Sequence, residues 1–377
     1  MPFGEPRILG PDGLDGLIRL VAHRGWTPWG PVVRDGAVVP GRIRGLSDLP
    51  VGWHDEQDAG CYRLRHEGDD EVFGWAVGPA SWKSVFYPAS QTVWEGSDRD
   101  GTVALTTAPS EPSRPVALIG VRPCEVAGLR VLDTVLLHGA VADPGYSRRR
   151  RDALLIAAEC SAPASTCFCS SMGSGPGAGE GPDLVLTELG CGPGQDHRFL
   201  LRAGTPRGGE LADAVPGRPA TDRDSADREA LIQAAASRLR RSIDADEVPV
   251  LLARSIDHPR WEVVGDRCLA CGNCTLVCPT CFCSDVRDTS DLVGGLTRTR
   301  VWASCFDLDH SYIHGGPVRR SRSSRYRQWL THKLSTWHAQ FGSSGCVGCG
   351  RCITWCPVGI DLTAEVAAIA DGARREP

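Results

Sequence analysis

The sequence predicts an α+β protein in which an N-terminal α/β region precedes a smaller, mainly helical domain. Three observations predict it. Short apolar strands alternate with turns and helical stretches through the first half. One cysteine arrangement occurs twice in the last third, as CLACGNCTLVCP and CVGCGRCITWCP. After the second copy, LTAEVAAIADGARR carries the apolar periodicity of a closing helix.

Residues 1–112 read as a β-rich N-terminal region, with strand candidates in GCYRLRHEG, EVFGWAVGP and VALTTAPSEP. Residues 113–203 read as a small α/β region. Val116 to Val121 is a strand, RPCE a turn, and Val126 to Leu137 a helix. A second strand, Ala153 to Ala158, enters a cysteine-bearing loop, and a third follows at Leu184 to Leu189. Residues 204–257 read as a linker and helix. The stretch 204–228 is rich in Gly, Pro, Asp and Arg, and an amphipathic helix is expected around Ser225–Arg241. Residues 258–377 hold both cysteine motifs, separated by an insertion whose YRQWLTHKLSTWHAQF predicts a helix.

Bulk properties exclude several classes. A formal net charge of -5 over 377 residues gives no global electrostatic case for nucleic acid. Seventeen cysteines are an odd number with cofactor-like spacing, which argues against a secreted disulfide scaffold. The first residues lack a basic stretch followed by a sustained apolar one, and VALIGV and ALLIAA are too short to span a membrane. The expected compartment is a reducing cytoplasm.

Each motif is C-x2-C-x2-C-x3-C-P, the bacterial ferredoxin spacing for cubane [4Fe–4S] clusters. Three cysteines two residues apart wrap one corner of a cube, and the intervening amides point at the inorganic sulfides. The fourth, before Pro279 or Pro357, leaves the loop and in two-cluster ferredoxins serves the other cluster. Crossed ligation assigns Cys268, Cys271, Cys274 and Cys356 to cluster one, and Cys346, Cys349, Cys352 and Cys278 to cluster two. Structural zinc is the competing reading, but zinc ribbons use separated CxxC pairs and need neither a third cysteine nor the closing CP.

A second set of cysteines stands outside this scheme. TCFC occurs at Thr166–Cys169 and again at Thr280–Cys283, and Cys305 lies in ASCFD. Cys124 falls at a predicted helix N-terminus, where amide donors lower a thiol pKa. Cys124, Cys160, Cys167 and Cys169 are candidate ligands of a third iron–sulfur centre, against the plainer reading of buried, reduced thiols. GSGPGAGEG does not fit a dinucleotide fingerprint, and no nucleotide or flavin site is expected in this chain. The basic run with Arg319, Arg320, Arg322, Arg325 and Arg327 reads as a solvated face or a dock for an acidic partner. His310, His314, His332 and His338 read as structural, and Trp302, Trp329, Trp337 and Trp355 as packing around the clusters.

GVRPCEVAGLRVLD, TCFCSSMGSGP, CGNCTLVCPTCFC, SCFDLDHSYIHGGPVRRSRSSRYRQWLTHKLSTWHAQFG and GCVGCGRCITWCPVGIDLT together resemble the iron–sulfur beta subunit of cytosolic NAD(P)-linked [NiFe] hydrogenases, the sulfhydrogenases. One of the subunits of anaerobic sulfite reductases is more distantly similar. The resemblance covers about residues 113–365. It implies an electron-transfer subunit with two [4Fe–4S] clusters on the same eight cysteines. Its partners would be a flavin- and NAD(P)-binding subunit and a hydrogenase, or sulfite reductase, catalytic subunit. The chain thus reads as an electron relay that performs no bond chemistry itself, with the electron-transfer subunit of a sulfite or polysulfide reductase as the nearest alternative. Two other classes stay open: an iron–sulfur redox sensor or adaptor, and an enzyme with the N-terminal cysteines as a sulfur-handling site.

Overall fold

The computed structural model describes residues 3–99, 102–107, 114–192 and 194–373. Among them the chain is α+β. The strands, in order, are β1 (Arg7–Leu9), β2 (Thr27–Arg34), β3 (Ala37–Arg42), β4 (Trp53–Asp58), β5 (Cys61–His66), β6 (Ser90–Arg99), β7 (Thr102–Thr107) and β8 (Val116–Val121). They continue with β9 (Leu154–Ala158), β10 (Leu184–Leu189), β11 (Arg198–Ala203), β12 (Arg218–Pro219), β13 (Ser284–Ser290), β14 (Gly295–Trp302), β15 (Tyr312–Ile313) and β16 (Gly316–Pro317).

An eight-stranded sheet runs in the order β12-β1-β11-β10-β9-β8-β2-β3. Its centre, β2, β8, β9 and β10, is parallel, and the outer strands pair antiparallel. The central strands VALIGV, LLIAA and LVLTEL are almost wholly buried, as uninterrupted apolar runs in a sheet covered on both faces must be. Alternation divides them between two cores. Leu154, Ile156 and Leu186 pack with Leu14, Leu17 and Ile18 of the helix Pro11–His23. Leu155, Ala157 and Val185 pack with Val126, Leu129 and Leu132 of the helix Pro123–Leu136. In β8 the register shifts at Gly120, whose φ is 79°, so Leu118 and Val121 share a face although they are three residues apart.

Strands from both sides of the expected boundary at residue 112 thus share one sheet. Of the strand candidates, CYRLRH is β5, while residues 71–79 form no strand; Ala108 to Pro112 of VALTTAPSEP lie outside the described residues. The stretch 204–228 holds the helix Pro206–Ala214 and the start of the helix Asp222–Ser237.

The cluster domain packs the helices Val248–Arg254, Arg260–Arg267, Arg322–Thr331 and Leu362–Ala373 around Trp261, Tyr326, Trp329, Leu330 and Ile369. The helix expected in the insertion is present but passes through a π turn at His332–Thr336. The insertion also contributes the hairpin β13–β14, which joins β6 and β7 in a second sheet of order β13-β14-β6-β7. No helix among the described residues is long and apolar enough to cross a membrane.

Candidate iron–sulfur sites

The two cysteine motifs adopt one local design. Each CxxCxxC loop ends in a one-turn helix, Asn273–Leu276 or Arg351–Thr354, entered through a left-handed glycine, Gly272 or Gly350. In each, the amide two residues after the first cysteine donates back to its sulfur. Ala270 N lies 3.3 Å from Cys268 Sγ, and Gly348 N lies 3.5 Å from Cys346 Sγ. The turn requires positive φ at that residue, 52° at Ala270 and 62° at Gly348. A third amide, Ile360 N, donates to Cys356 Sγ at 3.3 Å. N–H groups converging on thiolates are what an anionic cluster needs from its loop.

Cys268, Cys271, Cys274 and Cys356 line one cavity with Tyr326 and Trp329. Tyr326 Oη and Trp329 Nε1 are buried without a hydrogen-bond partner among the described residues, and both residues contribute to the wall of this cavity. Cys352 also lines this cavity, whereas Cys278 is outside its lining and within electrostatic reach of Cys346, Cys349 and Cys352. Among the described residues no three cysteine sulfurs come within 4.8 Å of one another. Tetrahedral zinc, with Zn–S of ~2.3 Å, would draw them to about 3.8 Å.

Two lysines that sequence reasoning missed are buried beside these cysteines. Lys333, on the π turn, donates to Cys278 Sγ at 3.2 Å and to Thr280 Oγ1 at 2.9 Å. A hydrogen bond from Cys281, helped by the Lys333 ammonium, holds the Cys278 thiol well below the ordinary thiol range although burial acts in the opposite sense. Lys83 donates to the Cys281 carbonyl at 3.0 Å and stacks 3.9 Å from the Trp302 ring centroid. Neither lysine sits in a cysteine motif, so no local signal in the sequence marked them.

The first TCFC segment lies along the second motif. Phe168 N donates to Gly348 O at 2.8 Å, and Thr166 Oγ1 meets Thr354 Oγ1 at 2.8 Å. A Cβ at Gly348 would stand 2.6 Å from Phe168 O, and one at Gly350 2.5 Å from Thr166 O. Cys124, Cys160, Cys167 and Cys169 line one further cavity together with Cys349. Cys124 does occupy the first turn of the helix Pro123–Leu136, but its thiol is pushed up rather than down. Burial, reinforced by the Cys349 sulfur, outweighs the helix N-terminus.

The basic run is largely used within the fold. Arg325 is buried and donates to the carbonyls of Arg319 and Arg320, Arg322 donates to Cys268 O at 3.1 Å, and Arg327 to Ile256 O at 2.6 Å. Trp329 and Trp337 are buried in the cluster domain, and His332 packs against Trp337 at 5.3 Å.

Residues 267–360 match the family described as the 4Fe-4S dicluster domain. Over 263 residues the chain is 31% identical to sulfhydrogenase 2 subunit beta of Pyrococcus furiosus, an alignment covering 68% of this chain and 74% of that protein. The chain belongs to the sulfhydrogenase beta-subunit family. As a member of it, the chain carries two [4Fe–4S] clusters and has an iron–sulfur electron-transfer role. The matched segment begins one residue before Cys268 and ends four after Cys356, so it encloses both motifs and the insertion between them.

Proposed function

We propose that this chain is the relay subunit of a multi-subunit oxidoreductase, passing single electrons between a flavin- and NAD(P)-binding subunit and a [NiFe] hydrogenase catalytic subunit. Cluster one is held by Cys268, Cys271, Cys274 and Cys356, and cluster two by Cys346, Cys349, Cys352 and Cys278. The observation that carries this reading is the pair of matched loops, each turning amides onto its own cysteine sulfur. The clusters supply one-electron exchange. The protein's contribution is to hold the thiolates, exclude water with Tyr326, Trp329 and Trp337, and set the charge around each site.

The two sites differ in access. Cys271 is exposed, and the exposed apolar residues Leu269 and Val358 line the same cavity. Cys349 is buried, under the TCFC segment. Electrons therefore pass to or from a partner at cluster one, through an apolar surface that a partner subunit covers.

The test is anaerobic co-expression with candidate flavoprotein and hydrogenase subunits, followed by a redox titration of the purified assembly. Co-purification and reversible reduction of two interacting cubanes by NAD(P)H or hydrogen are expected. A chain that purifies alone, or whose clusters neither substrate reduces within the assembly, would defeat this reading.

A further inference from the structure

We propose that the N-terminal α/β part holds a third [4Fe–4S] cluster, ligated by Cys124, Cys160, Cys167 and Cys169. The inference rests on the iron–sulfur reading above and extends it. Three separate stretches of chain deliver these residues to one place. Cys124 follows β8 and Cys160 follows β9, so both stand at the carboxyl ends of adjacent parallel strands, where open α/β sheets bind their ligands. Cys167 and Cys169 arrive on the loop that crosses over them, and all four line a single cavity.

Four features separate this arrangement from ordinary buried thiols. The cysteines surround a cavity whose other walls are chiefly apolar, including Ala76, Val77, Pro123 and Pro176. None is in a disulfide, and no three of their sulfurs are gathered within 4.8 Å as a single tetrahedral ion would hold them. The set is CxC plus two cysteines from elsewhere, which lets four sulfurs approach a cube from different sides. Finally, positive charge is buried alongside. Arg122, 1% exposed, lines the cavity. Arg351, also 1% exposed, stands outside this lining and is paired with Glu125 at 2.9 Å, so Arg122 is the cation of the cavity wall.

The position gives the centre a place in the relay. Cys349, a ligand of cluster two in the reading above, lines the same cavity, and Cys167 Sγ is 3.6 Å from Cys349 O. The order is then third centre, cluster two, cluster one, running from the α/β sheet to the exposed Cys271. Each transfer moves one electron from a reduced [4Fe–4S]+ centre to an oxidised [4Fe–4S]2+ neighbour, with no bond made or broken.

The test uses the full chain in its complex, purified without oxygen. Iron and acid-labile sulfide should approach about twelve of each per chain, and Mössbauer spectra of 57Fe-enriched protein should account for all of the iron as cubanes. A Cys167→Ser/Cys169→Ser variant should fall to about eight irons while keeping the coupled EPR signals of the ferredoxin-type pair. Retained coupled signals also show that the variant has folded. About eight irons in the wild-type chain, with those signals intact, would overturn the third centre alone. So would a variant that still holds the full complement. Far fewer than eight, with no coupled signals, would overturn the two-cluster assignment itself and the third centre with it.

Discussion

The ammonium of Lys333 stands 3.2 Å from the sulfur of Cys278, and Thr280 Oγ1 completes its shell at 2.9 Å. Lys333 is 6% exposed, so its charge is little screened by water. A reduced cluster carries one more negative charge than an oxidised one, and a buried cation beside a ligand favours the reduced form. Replacing Lys333 by Met keeps the length of the side chain and removes the charge. The potential of the cluster for which Cys278 is the proposed ligand should fall by on the order of 100 mV. An EPR-monitored redox titration reads this directly. A midpoint that does not move would show that Lys333 packs beside the cluster without tuning it.

Gly348 is a second point of leverage. Its counterpart in the first motif is Ala270, which adopts a similar positive φ, so that backbone conformation alone does not exclude a side chain. What differs is the neighbour: a Cβ at Gly348 would meet Phe168 O at 2.6 Å. Gly348→Ala should push the TCFC segment off the second motif, breaking the Phe168 N to Gly348 O bond and costing about 2 kcal/mol or more. Ala270→Gly should change little. Chemical denaturation of both variants, with iron counts, checks the contrast. Equal behaviour of the two would mean that the contact yields without consequence.

Much of this architecture is legible in the sequence, because it rests on local pattern. The runs VALIGV, LLIAA and LVLTEL announce buried strands, and cysteine spacing marks eight ligand candidates with the turns that present them. What is not legible depends on distant partners. EVFGWAVGP reads as a strand, yet its backbone is satisfied by side chains: Glu188 accepts from Val72 N and Phe73 N, and Arg122 donates to the carbonyls of Phe73, Trp75 and Ala76. The hairpin β13–β14 was missed because SDVRDTS is exposed along its whole length, leaving no apolar alternation to read. Lys83 and Lys333 come from opposite ends of the chain, and only the fold brings them to the same cysteines.

Glu159 links the sheet to the third cavity, since it immediately precedes Cys160. Its carboxylate is fully buried and accepts from Arg228 Nε at 2.8 Å and Nη2 at 2.6 Å, from Arg202 at 2.9 Å, from Thr187 at 2.7 Å and from Ala178 N at 2.9 Å. Burial pushes its pKa up, but Arg228, Arg202 and Thr187 outweigh this and hold it below the usual glutamate value of 4.5. A folded pKa below the unfolded one stabilises the protein at pH above 4.5. That contribution is lost as pH falls through the folded value. Glu159→Gln should therefore cost about 3 kcal/mol near neutrality, because two guanidiniums lose their counter-charge. The gap from wild type should narrow as the pH is taken below the usual glutamate range. Unfolding curves for both proteins at neutral and acidic pH check this, and a gap independent of pH would remove the carboxylate from the explanation.

The last prediction concerns the way in or out of the relay. Leu269 is 57% exposed and follows Cys268 directly, and with Cys271 and Val358 it lines the cavity of cluster one. An apolar side chain this exposed beside a cysteine ligand is held in water unless a partner covers it. Leu269→Glu leaves every cysteine in place and adds a charge that an apolar interface would have to desolvate. Iron content and cluster potentials should stay near wild type, with the nearby cluster shifting by tens of millivolts at most. Electron transfer to the partner subunit should slow by roughly 10-fold or more, through weaker docking. Stopped-flow reduction of the isolated chain by partner subunits, at varied partner concentration, separates docking from intrinsic transfer. A rate unaffected at every concentration would move the partner's contact to another face of the molecule.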